Sequence, residues 1–371
     1  MQIIEQKGYS KQQIIDMLHA RYASRTIKFR YDLLNNKEIK IGELDNVTSG
    51  EVSMSSLATD IKRTAQFNMR DNNDIDWLND RVQPFCMFRM PDGGWVEWSL
   101  GIFLLNSPKR KEQNRQIYRE IEAYDGLQVL LDDKFDSRYT IAAGGNYVTA
   151  INNILFTVGI TKINIPGKSS SLVITKEFEI GTSKLSAINE LLGELNYTSL
   201  WVDEKGYYTS APYAIPSDRA IDYQYEDNEL SIIYNGLKEE LDLFSVPNKF
   251  VVVQSNAETN PLISIYVNEN PLSITSTVSR GRTIVEKRDV DNIADQASLD
   301  SFTKRIAFEA SQIYGHIEFE TAIMPMHSHS DLLHVTYSRM GIKDRYVETN
   351  WTIPLESGGI MSHSARRVVA I

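Results

Sequence analysis

The chain has 371 residues, of which 42% are hydrophobic, and this length exceeds what one compact core usually organises, so we expect two or three domains. Its formal net charge of −10 argues against a protein that wraps nucleic acid, because phosphate binding needs clustered lysine and arginine. The single cysteine, Cys86, excludes an internal disulfide framework, and its apolar surroundings in RVQPFCMFRM predict a buried, unreactive thiol.

Residues 1–23 are predicted to form an N-terminal helical arm. Ser10 can cap this helix. The apolar residues that share one helical face are Ile14, Ile15, Leu18 and Tyr22. The first residues lack the basic and apolar regions of a signal peptide, and no apolar run reaches the roughly 20 residues that span a bilayer. We therefore expect synthesis and folding in the cytoplasm of the cell that makes the protein, without stable membrane binding.

Residues 24–124 show a period of two, which indicates strands. TAQFNMR places Ala65, Phe67 and Met69 on one face, and RQIYREIEA alternates in the same way. PDGGW is typical of a turn between strands. The segment predicts an antiparallel barrel or sandwich.

Residues 125–245 are predicted to form a small α/β insertion. NYVTAINNILFTVG has helical spacing and stops at Gly159, and TSKLSAINELLGEL repeats the pattern. A hairpin follows, TSLWVDEKGYYTSAP, with Gly206 where a left-handed residue is needed.

Residues 246–371 return to strands such as NKFVVVQS and HIEFETAI, interrupted by one long helix, DQASLDSFTKRIAFEASQIYG. This segment predicts a second strand-dominated domain with one helix packed on it. The whole chain is thus expected to be a β-rich α+β protein.

The segment MPMHSHSDLLH is the strongest candidate for chemistry. On a strand, His327 and His329 share a face and could both bind a metal ion. His334, however, would lie on the opposite face of such a strand, and the sequence has no second cluster of residues with the spacing of metal ligands. We therefore predict no metal site and interpret the segment as a polar loop that enters a strand.

The acidic run RDNNDID (70–76) could suggest calcium, but it lacks the glycine and distal glutamate of an EF-hand loop. A solvated turn explains it. Glu97, between two tryptophans, has no carboxylate partner for glycosidase chemistry, and the sequence contains none of the common catalytic or nucleotide-binding motifs. We predict no enzymatic activity and no cofactor.

Three segments, in their order along the chain, resemble a known family. They are IEAYDGLQVLLDDKF (121–135), INELLGELNYTSLWVDEKGYYTSAPY (188–213), and the long helix followed by TAIMPMHSHSDLLHVTYS (321–338) and MSHSARRV (361–368). The chain resembles the tail hub, or baseplate hub, proteins of tailed phages and of prophage-derived tail-like particles. Many relatives carry a C-terminal peptidase or receptor-binding extension, whereas this sequence ends at Ile371, so lytic activity is not carried over.

The resemblance implies a mechanical role. Members of the family are homotrimers in which each chain contributes two tube-like antiparallel β-barrel domains, here 24–124 and 246–371, with the insertion between them. Six similar barrels then form a pseudo-sixfold ring in the virion. Its implied partners are a hexamer of tail tube or distal tail protein, a tip or fibre protein, and the end of a tape-measure protein in the lumen. DNA passes through without specific binding.

Acids that alternate with apolar residues on the predicted strands are candidates for lining this channel. They are Glu120, Glu122, Glu318, Glu320 and Glu348. The other interpretation is that these acids solvate the outer surface. A different class of function is a receptor- or carbohydrate-binding module at the tail tip, whose first candidates are Trp95, Trp98 and Trp201; a core position explains each of them better.

Overall fold

The structure is a computed structural model that describes residues 1–21, 24–71, 75–106, 108–242, 244–254, 261–290, 293, 295–369 and 371. Tyr22 and the centre of the acidic run 70–76 lie outside the described residues. Strands account for 41% of the chain and helices for 18%, which confirms a β-rich α+β protein.

In the N-terminal part, the described residues form the predicted helix, α1 (Lys11–Leu18), followed by nine strands. The Ser10 hydroxyl accepts a hydrogen bond from the backbone N–H of Gln13, and the Gln13 side chain accepts one from the N–H of Ser10. This reciprocal cap explains where α1 begins. The strands are β1 (Ile27–Leu34), β2 (Lys40–Leu44), β3 (Val47–Ser55), β4 (Arg63–Arg70), β5 (Arg81–Arg89), β6 (Trp95–Ser99), β7 (Phe103–Leu105), β8 (Lys109–Gln113) and β9 (Gln116–Tyr124).

Asp125 marks the point where the chain leaves this region. Its buried carboxylate accepts hydrogen bonds from the N–H of Leu127 at 2.9 Å and from the N–H of Arg63 at 3.0 Å. Burial raises its pKa to about 6. The carboxylate thus fixes the start of the insertion against β4.

The insertion contains short helices and strands around its own core. Its elements are α2 (Leu127–Asp132), β10 (Tyr139–Ile141), α3 (Tyr147–Thr157), β11 (Ile163–Asn164), β12 (Lys176–Phe178), α4 (Lys184–Glu194), β13 (Trp201–Val202) and β14 (Tyr208–Thr209). Both predicted helices and the hairpin are present, and Gly206 has the expected positive φ of 85°.

The described residues of the remaining part form nine strands and two helices. They are β15 (Tyr223–Glu226), β16 (Lys238–Leu241), β17 (Lys249–Gln254), β18 (Leu262–Val267), α5 (Thr277–Arg280), β19 (Val285–Val290), α6 (Gln296–Ser311), β20 (Gly315–Ala322), β21 (Leu332–Tyr337), β22 (Ile342–Pro354) and β23 (Ile360–Arg367). Short 3₁₀ turns lie at Pro216–Asp218, Gln312–Tyr314 and Ser338–Met340. The helices of the described chain include none that is both long and apolar enough to cross a bilayer.

The predicted boundary of the insertion at residue 245 is wrong. β15 pairs with β21 and β16 pairs with β20, so both strands belong to the large sheet. The alternation of YQYE, which buries Tyr223 and Tyr225, carried this signal in the sequence.

Fifteen strands form one sheet, whose main path runs β16-β20-β23-β22-β3-β4-β9-β7-β5-β1-β2. The two β-regions meet where β22 pairs antiparallel with β3. Among the described strands, no pairing joins the β2 end to the β16 end, so the sheet stays open in the single chain. The described residues therefore do not show the closed barrels that the resemblance implies.

Three hydrophobic cores support this arrangement. The first draws on both β-regions and includes Phe67, Trp351 and Met361. The second fills the insertion. The third lies between α6 and the separate sheet β18-β17-β19.

Candidate functional site

One face of the large sheet is polar across both β-regions. On the opposite face, residues such as Phe319, Trp351, Val52 and Phe67 are buried in the first core. Since side chains alternate along a strand, the intervening residues point to solvent. The result is a wall that extends from β20 to β9.

The strand register gives this wall its composition. The first row runs from Glu320 through Ser362, Thr352, Ser53 and Thr64 to Tyr124. A second row joins Glu318, Ser364, Asn350 and Ser55. A third joins Glu51, Gln66 and Glu122, and Asn68 faces Glu120 beside it. We call these residues the polar wall.

Acidic residues stand at both ends of the polar wall. Glu318 and Glu320 lie at the β20 end, and Glu120 and Glu122 lie at the β9 end, all exposed. Between the ends, the side chains of the three rows are hydroxyl and amide groups, with Glu51 the charged exception. Two depressions of about 350 and 170 Å³ open on this face.

The lysines close to the wall stand at its margins. Lys238 on β16 lies 3.4 Å from Glu318, and Lys111 on β8 lies 3.8 Å from Glu120. Both pairs are solvated and contribute little to stability. Four of the five predicted acids, two from each β-region, thus lie on one face of the sheet. Sequence reasoning missed the hydroxyl and amide residues between them, whose signal was the alternation VTSGEVSMS and IMSHSARR.

Glu348 does not belong to this wall, because it is 1% exposed. The register of β22 shifts between Glu348 and Asn350, so a bulge reverses which side chains point inward. Tyr346 and Glu348 face the interior before the bulge, and Trp351 and Ile353 face it afterwards. The expectation that Glu348 lines a channel is therefore wrong for this chain.

Glu348 instead lies between two buried histidines. Its carboxylate oxygens lie 2.6 Å from Nδ1 of His327 and 2.6 Å from Nδ1 of His363. The outer nitrogens also have partners, since His327 Nε2 lies 2.6 Å from the Tyr225 hydroxyl and His363 Nε2 lies 2.8 Å from the Thr321 hydroxyl. We call Glu348, His327 and His363 the buried triad.

Burial controls the protonation of the buried triad. Loss of hydration raises the pKa of Glu348 to about 7 and lowers the pKa of His327 to about 4. The pKa of His363 is lowered for the same reason. Asp331 lies beside the triad and forms an ion pair of 2.5 Å with the Met1 ammonium group.

The structure separates the two histidines that the sequence offered as metal ligands. His327 enters the triad, whereas His329 stacks on Trp201 of the insertion, with ring centroids 4.9 Å apart. The segment 323–331 is not a strand, so the parity argument does not apply to it. His327, His363 and Glu348 do bring three ligand atoms within 4.8 Å of one another. Because all four ring nitrogens already have hydrogen-bond partners, however, the geometry suits a shared proton better than a metal ion.

The tryptophans and Cys86 have mainly structural positions. Trp98 is 2% exposed, and its indole N–H donates to the carbonyl of Ile3, so its side chain is not accessible to a ligand at the surface. Trp95 lies under the ammonium of Lys28 at 4.2 Å. Cys86 is buried, which raises the pKa of its thiol.

Glu97, the other acid singled out by the sequence, lies 2.9 Å from the Arg30 guanidinium. Trp201 borders a cleft of about 880 Å³ between the insertion, α6 and the large sheet. Neither Trp95 nor Trp98 lines this cleft.

The open, mainly antiparallel sheet with its α/β insertion is a fold that solved structures of phage-type tail proteins share, so the comparison confirms the resemblance at the level of fold. The tail protein from Neisseria meningitidis MC58 aligns with a TM-score of 0.64 at 10% identity, covering 92% of this chain and 96% of the other. The 43 kDa tail protein of prophage MuSo2 from Shewanella oneidensis gives 0.62 at 10% identity, with coverages of 91% and 98%.

Prophage tail protein gp18 from Listeria monocytogenes EGD-e gives a TM-score of 0.58 at 11% identity, with coverages of 91% and 94%. No family model matches the sequence, and no curated protein matches it. At these identities the likeness establishes the fold, over nearly the full length of each chain.

Proposed function

We propose that this protein is a non-enzymatic structural hub of a phage or phage-like tail, a homotrimer that joins the sixfold tail tube to the threefold tip and lines the DNA channel. The observation that carries the proposal is the polar wall. It crosses both β-regions without interruption and brings Glu120, Glu122, Glu318 and Glu320 to one surface.

The chemistry of the wall suits a surface that DNA passes without binding. A duplex carries one negative charge per roughly 1.7 Å of its axis, and a cationic wall would hold it by releasing counterions. Hydroxyl and amide groups carry no net charge, and the acids at the two ends repel phosphate. The net charge of −10 per chain acts in the same direction.

The two β-regions support the trimer. The family resemblance assigns each β-region to one tube-like domain, so three chains would present six similar units to a hexamer of tube or distal tail protein. The open ends of the sheet are consistent with barrels that close through contacts between chains. The opposite face of the ring would meet a tip or fibre protein, and the tape-measure end would lie in the lumen of the virion particle.

The test is the mass of the purified protein in solution, followed by a cryo-EM reconstruction of the ring or particle. We expect three copies around a hollow axis, with Ser53 and Thr352 facing the lumen. A single copy per particle, a true hexamer, or a polar wall on the outside would overturn the proposal.

One observation favours a second function, a receptor- or carbohydrate-binding module at the tail tip. Trp201 is half-buried beside the cleft of about 880 Å³, where an aromatic face could stack on a sugar ring. Saturable binding to host cell-wall polymer that is lost in Trp201→Ala, but kept in Trp95→Ala, would support this alternative.

A further inference from the structure

The buried triad lies where five parts of the chain meet. Glu348 comes from β22, His363 from β23 and His327 from the segment 323–331, while Tyr225 on β15 and Thr321 on β20 bind the outer nitrogens. All five side chains are buried. Their protonation therefore affects how these parts pack together.

With Glu348 ionised, every hydrogen bond of the triad can be assigned. Nδ1–H of His327 and Nδ1–H of His363 both donate to the carboxylate. The Tyr225 hydroxyl donates to Nε2 of His327, and the Thr321 hydroxyl donates to Nε2 of His363. In this state the triad carries one buried negative charge, which is costly in a dry interior.

One added proton removes that charge without breaking the network. A protonated Glu348 donates to Nδ1 of His363, whose Nε2–H then donates to the Thr321 oxygen. The Thr321 hydroxyl can turn to the carbonyl of Ala322, which lies 2.9 Å from its oxygen. The triad is then neutral and has lost no hydrogen bond.

A second proton, unlike the first, cannot bind to the triad without disrupting a hydrogen bond. It must enter on His327, whose Nε2–H would then point at the Tyr225 hydroxyl that now donates to it. The titratable groups that face the triad are Asp331, Asp222, Tyr223, Tyr225 and the Met1 ammonium. Because Asp331 is already paired with the ammonium, the second proton leaves a net positive charge in the interior.

We propose that the buried triad is a proton-sensitive latch. With at most one extra proton it holds the segment 323–331 against the large sheet and keeps β15 in place within that sheet, and it releases both when His327 takes a second proton. The low pKa of His327, about 4, agrees with this order of protonation. The latch is independent of any role in a tail.

The segment that the latch holds also contacts the insertion. Trp351 on β22 donates its indole N–H to the carbonyl of Ser328 at 2.8 Å, and His329 stacks on Trp201. Release of 323–331 would therefore loosen the contact between the large sheet and the insertion under acidic conditions.

Hydrogen–deuterium exchange of the full-length protein tests the latch, at about pH 7.5 and about pH 4.5, with rates corrected for the intrinsic effect of pH. In the wild type we expect the protection of 323–331 and 221–226 to fall at least about tenfold at the lower pH, the change that one pKa unit produces. His327→Gln can still donate to Glu348 and accept from Tyr225, but it cannot take the proton, so it should keep its protection at both pH values.

Glu318→Gln, on the solvent side of β20 next to the triad, is the matched control and should behave like the wild type. Unchanged protection in the wild type, or an equal loss in His327→Gln, would overturn the proposal. If His327→Gln does not fold, ¹⁵N-histidine NMR of the wild type replaces it: His327 must become doubly protonated over the pH range in which protection is lost. One equivalent of zinc retained per chain, whose removal by EDTA lowers protection at neutral pH, would instead identify a metal site and also overturn the latch.

Discussion

The hydroxyl groups of Ser53 and Thr352 lie 2.8 Å apart, although the two residues are 299 positions apart in the chain. They face each other in the register of β3 and β22, in the middle of the polar wall. This contact joins the two β-regions on the surface that we propose faces DNA.

The first prediction concerns that contact. In a double-mutant cycle with Ser53→Ala and Thr352→Val, we expect a coupling of roughly 0.2–1 kcal/mol in the free energy of unfolding, as for other cross-strand hydroxyl pairs. Urea denaturation measures it. Ser53→Ala combined with Ser137→Ala in the insertion should be additive. An additive result for the Ser53–Thr352 pair itself would show that the hydroxyls do not interact.

The second prediction concerns the buried carboxylate of the triad. Glu348→Ala leaves two buried imidazole N–H groups without an acceptor, so we expect a loss of about 2–4 kcal/mol of unfolding free energy. Glu318→Ala removes an exposed acid from the neighbouring strand and should change stability by less than about 0.5 kcal/mol. Equal effects in urea titrations would argue against a network at Glu348.

The third prediction concerns Asp125, at the start of the insertion. Asp125→Ala removes the acceptor of two backbone N–H groups and should cost about 1–3 kcal/mol, whereas Asp125→Asn keeps one acceptor oxygen and should cost less. Thermal or urea denaturation at neutral pH distinguishes the two variants.

The same residue gives a pH dependence of defined sign. Its folded-state pKa, about 6, is above the ordinary value of 3.8, so its contribution to stability is present below 3.8 and is lost as pH rises through 6. Asparagine has no proton to lose. The stability deficit of Asp125→Asn relative to the wild type should therefore shrink between about pH 4.5 and about pH 7.5. A deficit that grows over this range would contradict the assignment.

The fourth prediction concerns DNA. The wild type should not bind duplex DNA, whereas Glu122→Lys/Glu320→Lys should bind it with an affinity that falls steeply with salt. Fluorescence anisotropy across a salt series measures this. Glu177→Lys/Glu179→Lys makes the same change of charge on the insertion and should bind more weakly, since its lysines would not surround a duplex. Equal binding by both variants would place the polar wall outside the channel.

The regular parts of this fold could be predicted from the sequence because they repeat. Period-two alternation identified β4 and β9, and helical spacing identified α3, α4 and α6. The same alternation placed Glu120, Glu122, Glu318 and Glu320 on solvent-facing sides of their strands.

What could not be predicted depends on irregular backbone and on distant pairing. The bulge in β22 turns Glu348 inward, and no residue type signals it. The segment 323–331 lacks strand geometry, so spacing could not pair His327 with His363. The pairing of β3 with β22 joins chain segments almost 300 positions apart. A single sequence does not indicate which distant strands pair with each other.

The pairing of β3 with β22 also determines which parts of the molecule can move independently. Five facing residue pairs connect β22 to β3, so turning one β-region against the other would break a row of main-chain hydrogen bonds. Among the described strands, none links the sheet β18-β17-β19 to the large sheet in this way, and the smaller sheet packs on its own core with α6. Under a mechanical load, the hydrogen-bonded strands of the large sheet would accordingly keep their relative positions. The smaller sheet and α6 would move relative to the large sheet.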